Sequence, residues 1–265
     1  MTNRPFRGRK RRPEGVNEAL WAYATSQRLA DDETSAFADH PLIKVDLKWI
    51  KTKLGNGNKQ LVADLGCGSG RASALLAEMG WQVISVDLSR PMLEKFVEEQ
   101  GGLNDSRVLP VQGNLARLEF IPGASLDAAV CLFSTLGMIP LQVDRQRFLK
   151  SVSIALKPGG VLLIHAHSWW VQKNHKQGIQ WMIYDFWRRF IRNKDYGNRD
   201  AQYRGIPGVK IHMFGWNEIE SELNRVGLQV KSVVNLKATT AEDIGDGFIN
   251  QRILAGGWLI EATRN

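Results

Sequence analysis

The sequence predicts a doubly wound α/β protein, a mostly parallel sheet with helices on both faces. Three observations lead there. Short apolar runs alternate with helical patterns from about residue 59 to 166. A glycine-rich turn, Gly66-Cys67-Gly68-Ser69-Gly70, joins the first of those runs to the helix that follows. The last two strand-like segments have no helix between them, which suggests an antiparallel addition to a parallel sheet.

The elements follow in order. Residues 1–14 carry few apolar groups and read as a mobile basic arm. Between Val16 and Leu29, Ala19, Leu20, Tyr23 and Ala24 recur at helical spacing. Residues 42–54 are helical again and end at Gly55 and Gly57. Leu61–Leu65 is a buried strand that stops at glycines. Arg71–Met79 is a helix closed by Gly80. Trp81–Val86 is the second strand. Ser89 caps the next helix, with Pro91 in a first turn where its missing N–H costs little. Strands follow at Arg107–Val111 and Leu126–Leu132, then a helix at 143–156. Pro158-Gly159-Gly160 turns the chain into the strand Val161–His165. Residues 168–211 interrupt the alternation as an insertion. A helix (Trp216–Val226) and two strands (Leu228–Val234, Ile253–Ile260) complete the chain.

Length and composition fit that layout. The 265 residues suit one domain, 15–265, with N-terminal helices at 16–54 and the insertion at 168–211. With 43% hydrophobic and 23% charged residues, a wholly disordered chain is excluded. There is neither an apolar run long enough to span a membrane nor a secretory signal, so no membrane partner is expected. Cys67 and Cys131 cannot build a disulfide framework, and a reducing, cytoplasmic setting is expected. The net charge of +8 is uneven. Residues 1–14 hold six cations against Glu14, and residues 171–212 hold nine cations against three aspartates. The rest of the chain is slightly acidic. Both basic regions are candidates for an anionic partner.

The glycine loop follows a strand and opens a helix. Glycine there lets a ligand approach the backbone, and the helix N-terminus offers free N–H groups. Asp87 ends the second strand, 21 residues after Gly66, where a carboxylate can accept from two ribose hydroxyls. A dehydrogenase fingerprint needs its third glycine five residues after the first. Here the glycines are 66, 68 and 70 and position 71 is arginine, which counts against a nicotinamide-dependent oxidoreductase. Asp64 adds a carboxylate at the mouth of the loop, suited to a cationic amino group.

In these residues the sequence resembles the class I S-adenosylmethionine-dependent methyltransferases. The resemblance rests on Val62–Gly70, on Val86–Leu93, on Gly113-Asn114-Leu115, on Leu126–Val130 and on Leu156–Val161, in order and spacing. It implies a Rossmann-like seven-stranded sheet of order 3-2-1-4-5-7-6 with strand 7 antiparallel. It implies S-adenosyl-L-methionine as cofactor and S-adenosyl-L-homocysteine as product. By the resemblance, Gly66, Gly68 and Gly70 line the methionine and ribose part, Asp64 lies near the amino group and Asp87 holds the ribose. Leu88 and Leu115 sandwich the adenine. Asn114 stands where the family usually has Asp, and its oxygen can still accept. Phe133, at the end of the fourth strand, joins the cofactor-binding set.

The acceptor side falls at the ends of the fourth and fifth strands. His165 and His167 share one strand face and are the candidate catalytic residues, as proton acceptors or as packed histidines. No metal site is expected, because the remaining histidines and Cys131 lack ligand spacing. The insertion holds four of the nine Trp and three of the four Tyr among its cations. It reads either as an aromatic lid over a small acceptor or as a single-stranded RNA surface. As a packed helix, it would turn Trp181, Tyr184, Trp187 and Ile191 toward the core. The expected activity is methyl transfer to a small molecule, somewhat favoured over RNA. A catalytically silent RNA-binding module is the alternative from another class.

Overall fold

The computed structural model describes residues 11–99, 107–174, 177–191, 195–237, 252 and 254–265. Most of the basic arm, His175, and Ile253, where the sequence starts its last strand, lie outside the described residues. Four helices open the described chain: α1 (Glu18–Ala24), α2 (Gln27–Asp31), α3 (Glu33–Phe37) and α4 (Pro41–Leu54). The expected helix across 16–29 is therefore two helices. They separate where the Ser26 hydroxyl turns to accept from the Leu29 N–H and starts a second helix.

The sheet strands are β1 (Leu61–Leu65), β2 (Gln82–Asp87), β3 (Val108–Gln112), β4 (Leu126–Cys131) and β5 (Leu156–His167). Between them run α5 (Arg71–Glu78), α6 (Arg90–Glu99) and α7 (Gln142–Ala155). After β5 come α8 (Gly178–Phe190), a two-stranded hairpin of β6 (Asn198–Tyr203) and β7 (Ile206–His212), then α9 (Trp216–Asn224), β8 (Leu228–Leu236) and β9 (Gly257–Arg264). The seven-stranded sheet has the order β3-β2-β1-β4-β5-β9-β8, with β6 and β7 outside it. β1 to β5 pair in parallel, and β9 runs antiparallel to both β5 and β8. Counted within the sheet, this is the order 3-2-1-4-5-7-6 expected from the sequence. The Pro158-Gly159-Gly160 segment lies within β5 rather than before it.

Strand alternation divides the core between the two sheet faces. Ala63, Leu65, Ala129, Cys131, Leu162 and Ile164 pack on the side of α7 and α9. Val62, Ala128, Val130 and Leu163 pack against residues of α4, α5 and α6. On β5 this second parity belongs also to His165 and His167, so both imidazoles point toward the N-terminal helices. Trp258 of β9 is fully buried, stacks edge-on to Trp216 at 5.5 Å and donates its indole N–H to the Arg252 carbonyl. Trp258→Ala should cost about 3–5 kcal/mol of stability, read by chemical denaturation. Among the described residues no helix is long and apolar enough to cross a membrane.

Candidate active site

A cavity of about 360 Å³ opens at the carboxyl ends of β1, β2, β4 and β5. That is where ligands bind in open α/β sheets. Its floor is the glycine loop with Asp87, Leu88 and Leu115. Its far wall is Phe37, His40, Phe133 and His167, with Tyr203 and Ile211 from the hairpin.

The three glycines have separate reasons to be glycine. All have positive φ, at 86°, 54° and 82° for Gly66, Gly68 and Gly70. A Cβ on Gly66 would fall 2.3 Å from Thr135 Cγ2, and one on Gly70 would fall 2.1 Å from Phe96 Cδ2. These two are fixed by packing. A Cβ on Gly68 would meet nothing nearer than Glu33 Oε1 at 3.8 Å and would project into the cavity. The requirement for close ligand approach therefore attaches to Gly68. Asp87 ties the loop in place. One carboxylate oxygen accepts from the Gly68 N–H at 2.8 Å, the other from the Ser89 N–H at 2.7 Å. Burial raises its pKa, against the pull of those two N–H groups.

Asp64 lies beneath the loop and does not line the cavity. It accepts from the Ser73 hydroxyl at 2.7 Å, and Ser73 accepts in turn from Ser85. Burial raises the Asp64 pKa to about 6. Asn114 lies on a neighbouring, more open cavity, with Arg11, Arg12 and Trp21. Its side-chain oxygen accepts from the Ala116 N–H and its amide donates to the Glu14 carbonyl, so both ends are engaged within the protein. Leu88 lines both cavities.

The two strand-five histidines part company. Their rings lie 5.1 Å apart, as alternation predicts. His165 is fully buried behind the cavity wall, with Nδ1 2.7 Å from Asp46 Oδ1. His167 reaches the cavity, and its Nε2 is buried without a hydrogen-bond partner. Burial, then the neighbouring His165 and His40, push its pKa down to about 3, so it is neutral at ordinary pH. His40, at the start of α4, is a third imidazole on the cavity, with Nδ1 also unpartnered.

Asp46 is the organising residue that sequence reasoning missed. Its second oxygen accepts from the Phe133 N–H at 3.0 Å. Phe133 and Ser134 both hold positive φ, 47° and 58°, a strained pair where β4 ends. The Ser134 hydroxyl then accepts from the His167 N–H at 3.1 Å. One signal for Asp46 was present. It lies three residues after Ile43 and three and four before Trp49 and Ile50, all buried on the same stripe of α4. A carboxylate on that stripe needs buried partners.

Glu33 closes the roof. Its oxygens hold Arg71, just past the glycine loop, at 3.0 Å and Arg204 of the hairpin turn at 2.6 Å. Both guanidinium groups lie over the Phe37 ring. Tyr23 of α1 meets Tyr203 edge-on at 5.3 Å beside them.

The insertion corrects one sequence expectation. α8 does not turn Tyr184, Trp187 and Ile191 to the core; all three are exposed, and Trp181 is half-buried. The inward positions are Gly178, Met182 and Asp185. The fully buried Asp185 accepts from the Trp169 indole, from Arg188, from Arg189 and from the Gly197 N–H. That polar anchor orients the helix. His212, beside it, is bonded to Asn198 and Glu218 and is occupied structurally.

Residues 62–160 match the family described as methyltransferase domain. The putative methyltransferase YqeM of Bacillus subtilis is 34% identical over 121 residues, covering 46% of this chain and 47% of that protein. The cypemycin N-terminal methyltransferase of a Streptomyces species is 33% identical over 103 residues, covering 39% and 40%. The chain thus spans about half the length of the curated relatives it matches, or less. Among solved structures, the Burkholderia thailandensis 1,6-didemethyltoxoflavin-N1-methyltransferase, with bound 1,6-didemethyltoxoflavin and S-adenosylhomocysteine, aligns over 98% of this chain and 93% of its own. The TM-score is 0.64 at 15% identity, a likeness of fold.

Proposed function

Because residues 62–160 form a methyltransferase domain of the S-adenosylmethionine-dependent class I type, we propose that the chain transfers a methyl group to a small, largely apolar acceptor bearing an O–H or N–H. One observation carries the reading. Gly68 presents open backbone to the cavity, and Asp87, on the adjacent strand end, holds that backbone in place. This fits a cofactor that brings a ribose and an extended chain against the loop. When bound, S-adenosylmethionine supplies a methyl group activated by a positively charged sulfonium.

The chain's own residues do the rest. Gly66, Gly68, Asp87, Leu88 and Leu115 form the cofactor side of the cavity, and Phe133 stands where that side meets the far wall, its ring against Phe37, His40 and His167. Gly70 supports the loop through its fit against Phe96. Asn114 stays at the rim, where its side-chain oxygen, bonded to the Ala116 N–H, keeps a second lone pair for an adenine amino group. His167 faces the acceptor end. With a pKa of about 3 it is a poor proton sink near neutrality, and its free Nε2 instead accepts a hydrogen bond that orients the nucleophile. His165 positions that wall through Asp46 and touches no acceptor. The aromatic roof excludes water.

Two measurements test this. Calorimetry should register S-adenosylmethionine and S-adenosylhomocysteine but not NAD; heat with NAD alone overturns the reading. A labelled-methyl assay on fractionated cell extract should place the label in low-mass organic material. Label in RNA instead supports the base-stacking alternative for the insertion.

Asp64 adds a pH dependence. A cationic amino group over the loop favours the ionised carboxylate, whereas burial, opposed by the Ser73 hydrogen bond, holds its pKa at about 6. Above pH 6 the carboxylate is already ionised and affinity is flat. Below it a proton must leave on binding, so affinity falls by up to about tenfold per pH unit. Asp64→Asn should weaken binding and remove that slope, read by titration between pH 5 and about 8.

A further inference from the structure

The outward face of α8 is built against the ordinary rule for a surface helix. Ile179, Ile183, Tyr184, Phe186, Trp187, Phe190 and the following Ile191 are each more than half exposed, with Phe190 at 74%. Among the described residues, these are seven of the thirteen large exposed hydrophobics, gathered within thirteen positions. On a helix they form one broad stripe about 20 Å long, with Gln180 as its exposed polar member. Trp187 meets Phe186 and Phe190 edge-on at 6.3 and 6.2 Å, so these exposed rings pack on one another. An apolar patch of this size on a surface marks an interaction site.

Charge identifies the occupant. Beyond Arg188 and Arg189, which pair with Asp185, the sequence between residues 171 and 194 holds Lys173, Lys176, Arg192 and Lys194 and no further acid. Asp185 is fully buried, so the only acid of this stretch is withdrawn from the surface. An apolar stripe with cations before and after it in the chain matches an anionic lipid surface. There aromatic and aliphatic groups enter the headgroup boundary and lysine and arginine meet the phosphates. A second copy fits worse, because a self-complementary contact brings like charges together. RNA fits worse too. The three isoleucines have no π face, and Arg188 and Arg189 are committed to Asp185. We propose that α8 is an interfacial helix that docks the protein on anionic phospholipid bilayers. Such docking lies in the membrane surface and needs no spanning segment.

The test uses the full chain and vesicles of phosphatidylcholine, alone or with about one third phosphatidylserine. The protein should co-sediment with the anionic vesicles and only weakly with the neutral ones, less so at high salt. The double variant Trp187→Gln, Phe190→Gln keeps every charge and replaces only exposed side chains. Its anionic-vesicle binding should fall by about tenfold or more with an unchanged melting temperature. Unaltered binding by that variant would mean that basic segments act alone, and it overturns the proposal. So does failure of the folded wild type to bind anionic vesicles. Self-association or capture of a 30-nucleotide RNA, without vesicle binding but abolished by the same variant, assigns the stripe elsewhere and overturns it as well.

Discussion

Asp87→Ala should weaken S-adenosylmethionine binding by about a hundredfold or more. Two hydrogen bonds from ribose hydroxyls to an ionised carboxylate contribute about 1.5–3 kcal/mol each, and each 1.4 kcal/mol is tenfold. The substitution also strips the Gly68 and Ser89 N–H groups of their acceptors, which loosens the loop that the ligand must approach. Calorimetry gives the affinity and a thermal melt separates it from unfolding. Two neighbours act as controls. Cys67→Ser should change little, since a serine hydroxyl is of similar size and can donate to the Gly68 carbonyl as the thiol does at 3.7 Å. Gly68→Ala should still fold, at about 1–2 kcal/mol for its positive φ, while its new methyl occupies the cavity and blocks binding. Affinity in Asp87→Ala equal to the wild type would refute the ribose assignment.

Arg145→Ala should destabilise the fold by about 3–5 kcal/mol, the usual consequence of stranding a buried charge. Arg145 of α7 is only 1% exposed, and its guanidinium reaches both oxygens of Glu222, at 3.0 and 3.3 Å, and Glu218 at 3.4 Å. Removing it leaves two buried carboxylates side by side on α9. Urea denaturation reads the loss. The same cluster carries an acid dependence. Burial raises the Glu218 pKa, but His212, Arg189 and Arg145 outweigh it and hold the group at about 2. Because its folded pKa lies below its ordinary 4.5, its stabilisation is full above that value and is lost as pH falls toward 2. Glu218→Gln should flatten the decline of the melting temperature over that range.

How far these sites were legible follows from where their partners sit in the chain. The glycine loop, Asp87 and the capping Ser89 lie within 24 residues, and their chemistry is local, so spacing alone located them. The sheet order followed from the alternation and the resemblance together. Asp46 was not legible as a partner of His165, because 119 residues separate them and only the packed sheet brings α4 over β5. His40 joined the cavity for the same reason. The direction of α8 failed on other grounds. Periodicity tells that one helix face is apolar, but not which side has the better partner. Here the inward side offers Asp185 four hydrogen bonds, an arrangement assembled from residues 169 to 197.

The cavity has walls of two origins. The side proposed to hold the cofactor, from Gly66 to Leu115, lies within the matched segment 62–160. Its opposite side comes from Tyr23, Phe37 and His40 before that segment and from His167, Tyr203 and Ile211 after it. On the proposed reading, acceptor choice can therefore drift, or be engineered, in residues outside the matched segment. A library confined to those six positions should redirect the enzyme among acceptors while leaving S-adenosylhomocysteine affinity within a few-fold, which makes product binding the internal standard for any such selection.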